Sequence, residues 1–195
     1  MIKLDAINAV LRRNGYTPVS GLDTAGNSAE SQAERFLDDA DSECQSNGWY
    51  FNTLKDVTLS INGSGNILVP TSTYYRLDTS GDSYLTNVRV RNGMLYDTDA
   101  NTDVWSAGLV VSYSEKVAWS DLPEAFAMYI ISRASLAFNR SHKKDQALDK
   151  LLIEEVASRW AGCKRQDNDM QQVNLLDTPE MNQLRGRPKM QDRSI

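Results

Sequence analysis

Apolar residues recur at helical spacing in four separate segments of the chain. The segments are residues 3–14, 29–47, 121–140 and 144–166. Within each, apolar positions fall three or four residues apart, as they do along one face of an α-helix. Asn14-Gly15 and Asn47-Gly48 stand at the ends of the first two segments, and both pairs suit the left-handed conformation in which many helices end. The pattern therefore predicts four amphipathic helices.

Between the second and third helical segments, apolar residues alternate with polar ones instead. The alternating stretches are residues 57–61, 88–91, 94–96 and 109–113. A period of two is typical of a strand with one buried face. Asn92-Gly93 separates two of these stretches and favours a type I′ turn, and the loop at 62–66 indicates another hairpin. We expect a small antiparallel sheet or sandwich.

These patterns together predict an α+β fold. In it, a discontinuous four-helix bundle made of residues 1–52 and 118–167 carries a β-rich insertion at residues 53–117. Beyond Asp167 the helical periodicity fades into Gln, Asn, Asp and Met residues. We therefore expect residues 168–195 to form an extended C-terminal tail.

The third helical segment carries more apolar surface than one packed face requires. Phe126 belongs to its main apolar stripe, and Met128 and Ile131 widen that stripe. A helix of this kind is buried on two sides, either deep in a bundle or against another subunit. We expect Phe126, Met128 and Ile131 to lie at an interface between subunits.

Charge divides the chain into an acidic body and a basic end. The 195 residues include 21 basic and 26 acidic ones, a net charge of −5, which argues against the whole protein being a nucleic-acid binder. From residue 184 onward four basic residues face one acidic residue, a net charge of +3, so residues 1–183 carry −8. The basic end could contact phosphates, order on a protein partner, or stay free.

Cysteine usage and the N-terminal sequence bear on location. Cys44 and Cys163 stand at helical positions among apolar neighbours, which predicts two buried free thiols and fits a reducing cytoplasm. The first 20 residues lack the basic and apolar regions of a signal peptide. No stretch approaches 18 consecutive apolar residues, so we expect no membrane anchor.

Candidate catalytic residues are sparse. His142 is the only histidine and stands beside two lysines, where we expect a surface side chain rather than part of a nucleophilic triad. Carboxylate pairs such as Asp38/Asp41 or Asp97/Asp99 could in principle hydrolyse a glycoside, although short acidic clusters are normally solvated. We predict no catalytic, cofactor or metal residues, and we keep a glycan-degrading or glycan-binding protein as the alternative.

Aromatic residues could also stack on sugars or bases. They are Trp49, Tyr50, Phe51, Trp105 and Trp119. Their positions at strand ends and helix entries instead favour packing between the bundle and the insertion.

Four stretches carry a resemblance by their order and spacing. They are residues 47–52 (NGWYFN), 90–97 (VRNGMLYD), 122–126 (LPEAF) and 132–140 (SRASLAFNR). The ordered set resembles the tail tubular protein A family, the adaptor of short-tailed bacteriophages. The resemblance extends over roughly residues 1–165.

The resemblance implies a structural virion protein and no enzymatic role or cofactor. Family members form a dodecameric ring between the portal protein of the head and the nozzle made by tail tubular protein B, with tail fibres attached near the junction. The resemblance implies that DNA passes through the lumen without specific binding. It also implies that the protein is assembled in the host cytoplasm and lies in the virion tail. A small glycan-degrading or glycan-binding phage tail protein is the alternative.

The resemblance also favours one role for the basic end, which is docking onto the portal. The residues that we expect to contact the portal are Leu184, Arg185, Arg187 and Lys189.

Overall fold

The computed structural model describes residues 2–21, 28–69, 74–80, 83 and 86–171. The helices of this part of the chain are α1 (Lys3–Arg13), α2 (Ala29–Gln45), α3 (Glu124–Phe138) and α4 (Gln146–Met170). The strands are β1 (Thr53–Leu59), β2 (Tyr74–Thr79), β3 (Val88–Arg91), β4 (Met94–Asp97) and β5 (Leu109–Glu115). The predicted α+β class is confirmed, with helices on both sides of the strands in chain order.

The first two helices begin and end where local chemistry dictates. Ser28 caps α2, because its hydroxyl accepts a hydrogen bond from the Ser31 amide at 3.3 Å. Gly15 and Gly48 follow α1 and α2 with φ angles of +74° and +71°, the left-handed values that stop a helix. Both helix ends agree with the sequence prediction to within two residues.

The third helix starts later than the sequence predicted. Trp119–Asp121 forms a short 3₁₀ helix, and α3 begins only at Glu124. Leu122 stands directly before Pro123 and has an extended backbone, with ψ of 129°. A proline disfavours the helical conformation of the residue before it, so the predicted start at residue 121 was wrong by three positions.

A π-helical turn, Asn139–Lys143, joins α3 to α4. Lys144 then adopts a left-handed backbone, with φ of +52°. Asp145 caps α4, since its carboxylate accepts hydrogen bonds from the amides of Ala147 at 2.9 Å and Leu148 at 3.1 Å. The last helix continues to Met170, four residues beyond the predicted end at 166.

The strands form one three-stranded and one two-stranded antiparallel sheet in the described residues. The larger sheet has the order β1-β5-β2, and β3 and β4 form a hairpin. The predicted type I′ turn is confirmed, because Asn92 and Gly93 both have positive φ angles, +51° and +75°. The predicted hairpin at 62–66 is confirmed by the Asn62–Asn66 backbone hydrogen bond of 2.8 Å.

The second strand, β2, was missed by the sequence analysis. The register of β2 against β5 shifts between Tyr74 and Arg76. The part of the strand with regular register, residues 76–79, contains one apolar residue, Leu77. The sequence therefore shows no alternation of apolar and polar residues there.

Two apolar clusters hold the described residues together. The helical cluster centres on α3, which packs against α1, α2 and α4. The sheet cluster joins the larger sheet to the β3–β4 hairpin through residues that include Val111, Ile67 and Leu95. The division into bundle and insertion stays a prediction, and the predicted tail at 168–195 lies outside the described residues after Gln171.

Candidate assembly surface

The apolar helix α3 lies at the centre of the helical cluster. Phe126 and Ile131, two of the three residues expected at a subunit interface, are both 0% exposed. Neighbouring helices on three sides cover the apolar surface that the sequence left unassigned. Both side chains are therefore already covered within the subunit, and their place at a subunit interface stays a prediction. Met128 is half-buried, and its role stays a prediction.

The last helix, α4, exposes apolar side chains instead. Of its 25 residues only Leu152 and Cys163 are buried. Leu151 is 64% exposed and Ile153 is 43% exposed. At 3.6 residues per turn these two side chains are roughly 160° apart around the helix, one on each flank of the buried stripe. Thus α4 presents apolar surface in two directions.

A groove runs along one flank of α4, between this helix, α3 and the end of α2. We call it the α3–α4 groove, and its volume is about 720 Å³. Its apolar lining consists of Tyr129, Leu136, Ile153, Val156, Ala157 and Trp160. Polar residues line the rest, namely Glu43, Ser46, Asn47, Arg133 and Arg140. Arg133 pairs with Glu43 at 3.2 Å across the polar side.

Aromatic packing fixes the shape of this groove. The Trp160 ring lies 4.9 Å from that of Tyr129 and 5.1 Å from that of Trp49, measured between ring centroids. The Trp49 indole donates a hydrogen bond of 2.6 Å to the Cys44 carbonyl, which holds it in the core. Burial raises the pKa of Tyr129. The apolar floor is therefore preformed within a single subunit.

A polar network attaches the middle of α4 to the bundle. The Glu155 carboxylate lies 2.9 Å from the Arg13 guanidinium and 3.2 Å from Nε of Arg159. The Ser132 hydroxyl is 2.9 Å from the same carboxylate. Burial by itself would raise the pKa of Glu155, but the Ser132 hydrogen bond and the two cations outweigh it and lower this pKa.

The C-terminal part of α4 is attached to the aromatic turn after α2. Asp167 accepts a hydrogen bond from the Tyr50 amide at 2.8 Å, and Gln166 donates one of 3.0 Å to the Tyr50 hydroxyl. Phe51 packs edge-on against Phe126 at 4.8 Å. This aromatic turn packs internally, but within the helical cluster rather than between the bundle and the insertion as the sequence predicted.

The remaining predicted aromatic residues also pack inward. Trp105 contacts the sheet cluster and donates a hydrogen bond of 3.0 Å to the Leu95 carbonyl. Trp119 is partly buried against the helical cluster.

The carboxylates nominated for glycoside chemistry have structural partners. Asp38 pairs with Lys3 at 2.9 Å, and Asp97 accepts hydrogen bonds from the Asp99 and Ala100 amides. Asp41 was expected on a solvated face, but it is 1% exposed. It lies 3.0 Å from the Lys116 ammonium, so it belongs to a buried ion pair that sequence periodicity could not reveal.

The single histidine and the two thiols contribute to packing. His142 is half-buried rather than fully at the surface, and its ring stacks on Phe138 at 4.4 Å. The predicted free thiols are confirmed, since Cys44 and Cys163 are unpaired and buried. Burial raises the pKa of Cys163 to about 11 and raises that of Cys44 further.

Metal-binding clusters and membrane-spanning helices are both absent from the described part of the chain. No group of three or more histidine, cysteine or acidic residues in it could hold a metal ion. None of its helices combines the length and apolar character that crossing a bilayer demands. The expected portal-binding residues Leu184, Arg185, Arg187 and Lys189 lie outside the described residues.

Comparison with models of known protein families gives a match over most of the chain. The model of a family described as "Tube: Tail tubular protein" matches residues 4–173. This span includes all four helices and both sheets. A search of curated proteins found no match.

Proposed function

We propose that this chain, which belongs to the tail tubular protein family and is a structural component of the phage tail, forms the ring that joins the portal to the nozzle. In this proposal the ring has twelve subunits, as the resemblance to tail tubular protein A implies. Its partners are the portal protein on one rim, and tail tubular protein B and the tail fibres at the other.

The exposed apolar flanks of α4 carry the ring proposal. Neighbours in a closed ring meet head to tail, so each subunit needs two different surfaces that fit each other. Ile153 lies in the α3–α4 groove, and Leu151 lies on the opposite flank of the same helix. Exposed apolar side chains that face different directions suit a contact of this type. A stable interface buries roughly 800 Å² per partner, so residues beyond α4 take part as well.

Charge supports the proposed channel. The net charge of −5 per chain accumulates in a ring, and acidic groups around a lumen repel the DNA backbone. DNA then passes without being held. This property fits a conduit for ejection in the tail of the virion, after assembly in the host cytoplasm.

The glycan alternative is not favoured by a specific observation. The family is structural, which implies a non-enzymatic role. The carboxylates that could have served hydrolysis are bonded to neighbouring lysine and amide groups.

The ring proposal can be tested with substitutions on α4. We expect Ile153→Asp and Leu151→Asp each to shift the full-length chain from a large oligomer to smaller species in light scattering, because a carboxylate in an apolar contact loses its hydration. The matched control is Ala161→Asp, which adds the same charge at another exposed position of α4. Circular dichroism establishes that all three variants are folded. Unchanged mass for both flank variants would refute this role for α4.

A further inference from the structure

The β3–β4 hairpin has one face toward the sheet cluster and one face toward solvent. Successive residues of a strand alternate between faces, and residues paired across an antiparallel hairpin share a face. Leu95 is buried in the sheet cluster, so its neighbours in β4, Met94 and Tyr96, lie on the outer face. Arg91 pairs with Met94, and Arg89 pairs with Tyr96. Both arginines therefore lie on the outer face, which we call the arginine face.

The arginine face has the composition of a protein contact surface. Both arginines are exposed, and neither forms an ion pair with the described residues. The Arg91 guanidinium lies 3.7 Å from the centroid of the Tyr96 ring, and this stacking leaves the N–H groups at its edge available. Leu68 pairs with Met94 and is 56% exposed, so it adds an apolar border. Arginine, tyrosine and methionine are enriched at protein interfaces.

Two unpaired arginines call for an acidic partner, and α2 is strongly acidic. This helix contains six acidic residues and one basic residue, a net charge of −5. Three of the acidic side chains are held within the subunit by lysines. Glu34 and Asp38 pair with Lys3, and the buried Asp41 pairs with Lys116. Their charges are largely offset there.

Asp39 and Glu43 form an acidic row on the outer side of α2. Both are exposed, and they lie one helical turn apart. Asp39 forms no ion pair with the described residues. Glu43 pairs with Arg133 at 3.2 Å but keeps its side chain 56% exposed, and a carboxylate can accept further hydrogen bonds. The basic residue of α2, Arg35, stands one turn beyond Asp39 and ends the row.

The acidic row continues a surface that already belongs to the proposed ring contact. Glu43 lines the α3–α4 groove, which Ile153 lines as well. The apolar flank of α4 and the acidic row of α2 therefore lie side by side on the same subunit. A partner that covers the groove would come close to both.

The spacing of the two charged pairs also matches. Residues two apart on a strand are about 7 Å apart. Residues four apart on a helix are separated by a rise of about 6 Å. Two arginines on one strand face can therefore lie opposite two carboxylates on one helix face. The fork of N–H donors on each guanidinium suits a carboxylate.

We propose that the arginine face of one subunit docks on the acidic row of α2 in a second copy of this chain, with Arg89 and Arg91 opposite Asp39 and Glu43. This contact rests on the proposed ring and names a charged part of its interface beside the apolar part on α4. The arginine face and the acidic row are different surfaces of one subunit, as a head-to-tail contact requires.

Charge reversal in the full-length chain tests this contact by light scattering over a range of protein concentrations. The pair Arg89→Glu and Arg91→Glu, and separately the pair Asp39→Arg and Glu43→Arg, should each raise the concentration needed for assembly about tenfold or more. The chain with all four substitutions should recover assembly, because opposite charges again face each other.

A matched control and a neutral variant accompany the reversals. Arg12→Glu with Lys55→Glu reverses two exposed charges outside both surfaces and should assemble like the unaltered chain. Arg89→Gln with Arg91→Gln should make assembly less sensitive to sodium chloride, because salt screens only the charged contact. Circular dichroism establishes that each variant is folded.

The outcomes separate this contact from the ring itself. If the unaltered chain assembles and both reversal pairs assemble equally well, or the chain with four substitutions fails to recover, the charged contact is wrong and the ring stands. If the unaltered chain stays monomeric with and without portal, both the ring and this contact are refuted.

Discussion

At the scale of single residues, polar groups inside the helical part determine how the elements meet. Gln45 is the clearest case: its amide group exchanges two hydrogen bonds with the Val117 backbone, at 2.8 and 3.1 Å, and donates a third to Asp41. This one side chain connects the end of α2 to the segment that leaves β5. Gln45 is fully buried. Without its side chain, the amide and carbonyl groups of Val117 would lose these hydrogen bonds, and Asp41 would lose one of its partners.

Replacing Gln45 should therefore be costly. We expect Gln45→Ala to lower the free energy of unfolding by about 3 kcal/mol, because it leaves the Val117 backbone groups and Asp41 with fewer partners. Gln146→Ala, at an exposed position in α4, is the control and should stay within about 0.5 kcal/mol. Chemical denaturation measures both. Similar values for the two variants would contradict the bridging role.

Glu155 predicts a pH dependence. Its pKa is lowered in the folded chain, so the carboxylate stabilises the fold at pH values above the ordinary value of 4.5. That contribution is lost as the pH falls through the lowered pKa. We expect Glu155→Gln to cost about 1 kcal/mol at neutral pH, a modest figure because the group is partly solvated, and less in acid. Thermal unfolding of both chains across the acidic range measures this difference, and a constant difference would argue against the ion pairs.

At the scale of elements, sequence periodicity predicted the helices well but not the surfaces that they expose. The sequence pattern of α3 showed how much apolar surface this helix has, yet two of the three helices that cover it, α1 and α2, are distant in sequence. On α4 the signal was present, because Leu151 and Ile153 flank Leu152 and three consecutive apolar residues cannot share one face. Helical periodicity accounts for Leu152 on the buried face but leaves Leu151 and Ile153 without a partner within the helix.

The row that Thr53, Ser114 and Arg76 form across the three-stranded sheet was beyond sequence reasoning for a related reason. β2 has too little alternation to be recognised, and its register against β5 places Arg76 beside Ser114. Without that register, Thr53 and Ser114 are two hydroxyl residues far apart in the chain. Only the folded sheet brings them into one row.

At the junction between α3 and α4, we expect glycine substitutions at two adjacent residues to change the free energy of unfolding in opposite directions. Lys144 has a left-handed backbone, which is strained for a residue with a Cβ atom, whereas Lys143 lies in the π-helical turn with a negative φ. We expect Lys144→Gly to raise the free energy of unfolding by about 0.5–1 kcal/mol and Lys143→Gly to lower it by a similar amount. Thermal melts compare the two. Loss of stability in both variants would contradict the assigned backbone.

At the scale of the whole molecule, the contrast between an acidic body and a basic end predicts how the proposed ring would dock onto the portal. Removal of residues 174–195 takes away the basic cluster that begins at Leu184. We expect the truncated chain to lose most of its portal binding in a pull-down, while its oligomeric mass in light scattering is retained. A second variant with Arg185, Arg187 and Lys189 changed to Gln separates charge from length. Portal binding equal to that of the full chain would refute the docking role.

We propose that this tail tubular protein forms a closed ring, and electron microscopy of the purified full-length chain, alone and mixed with portal, would reveal it. We expect annular particles with a central channel, stacked coaxially on the portal when it is present, and with α4 at the contact between neighbouring subunits. Single subunits under both conditions, with no annular particle on the portal, would contradict it.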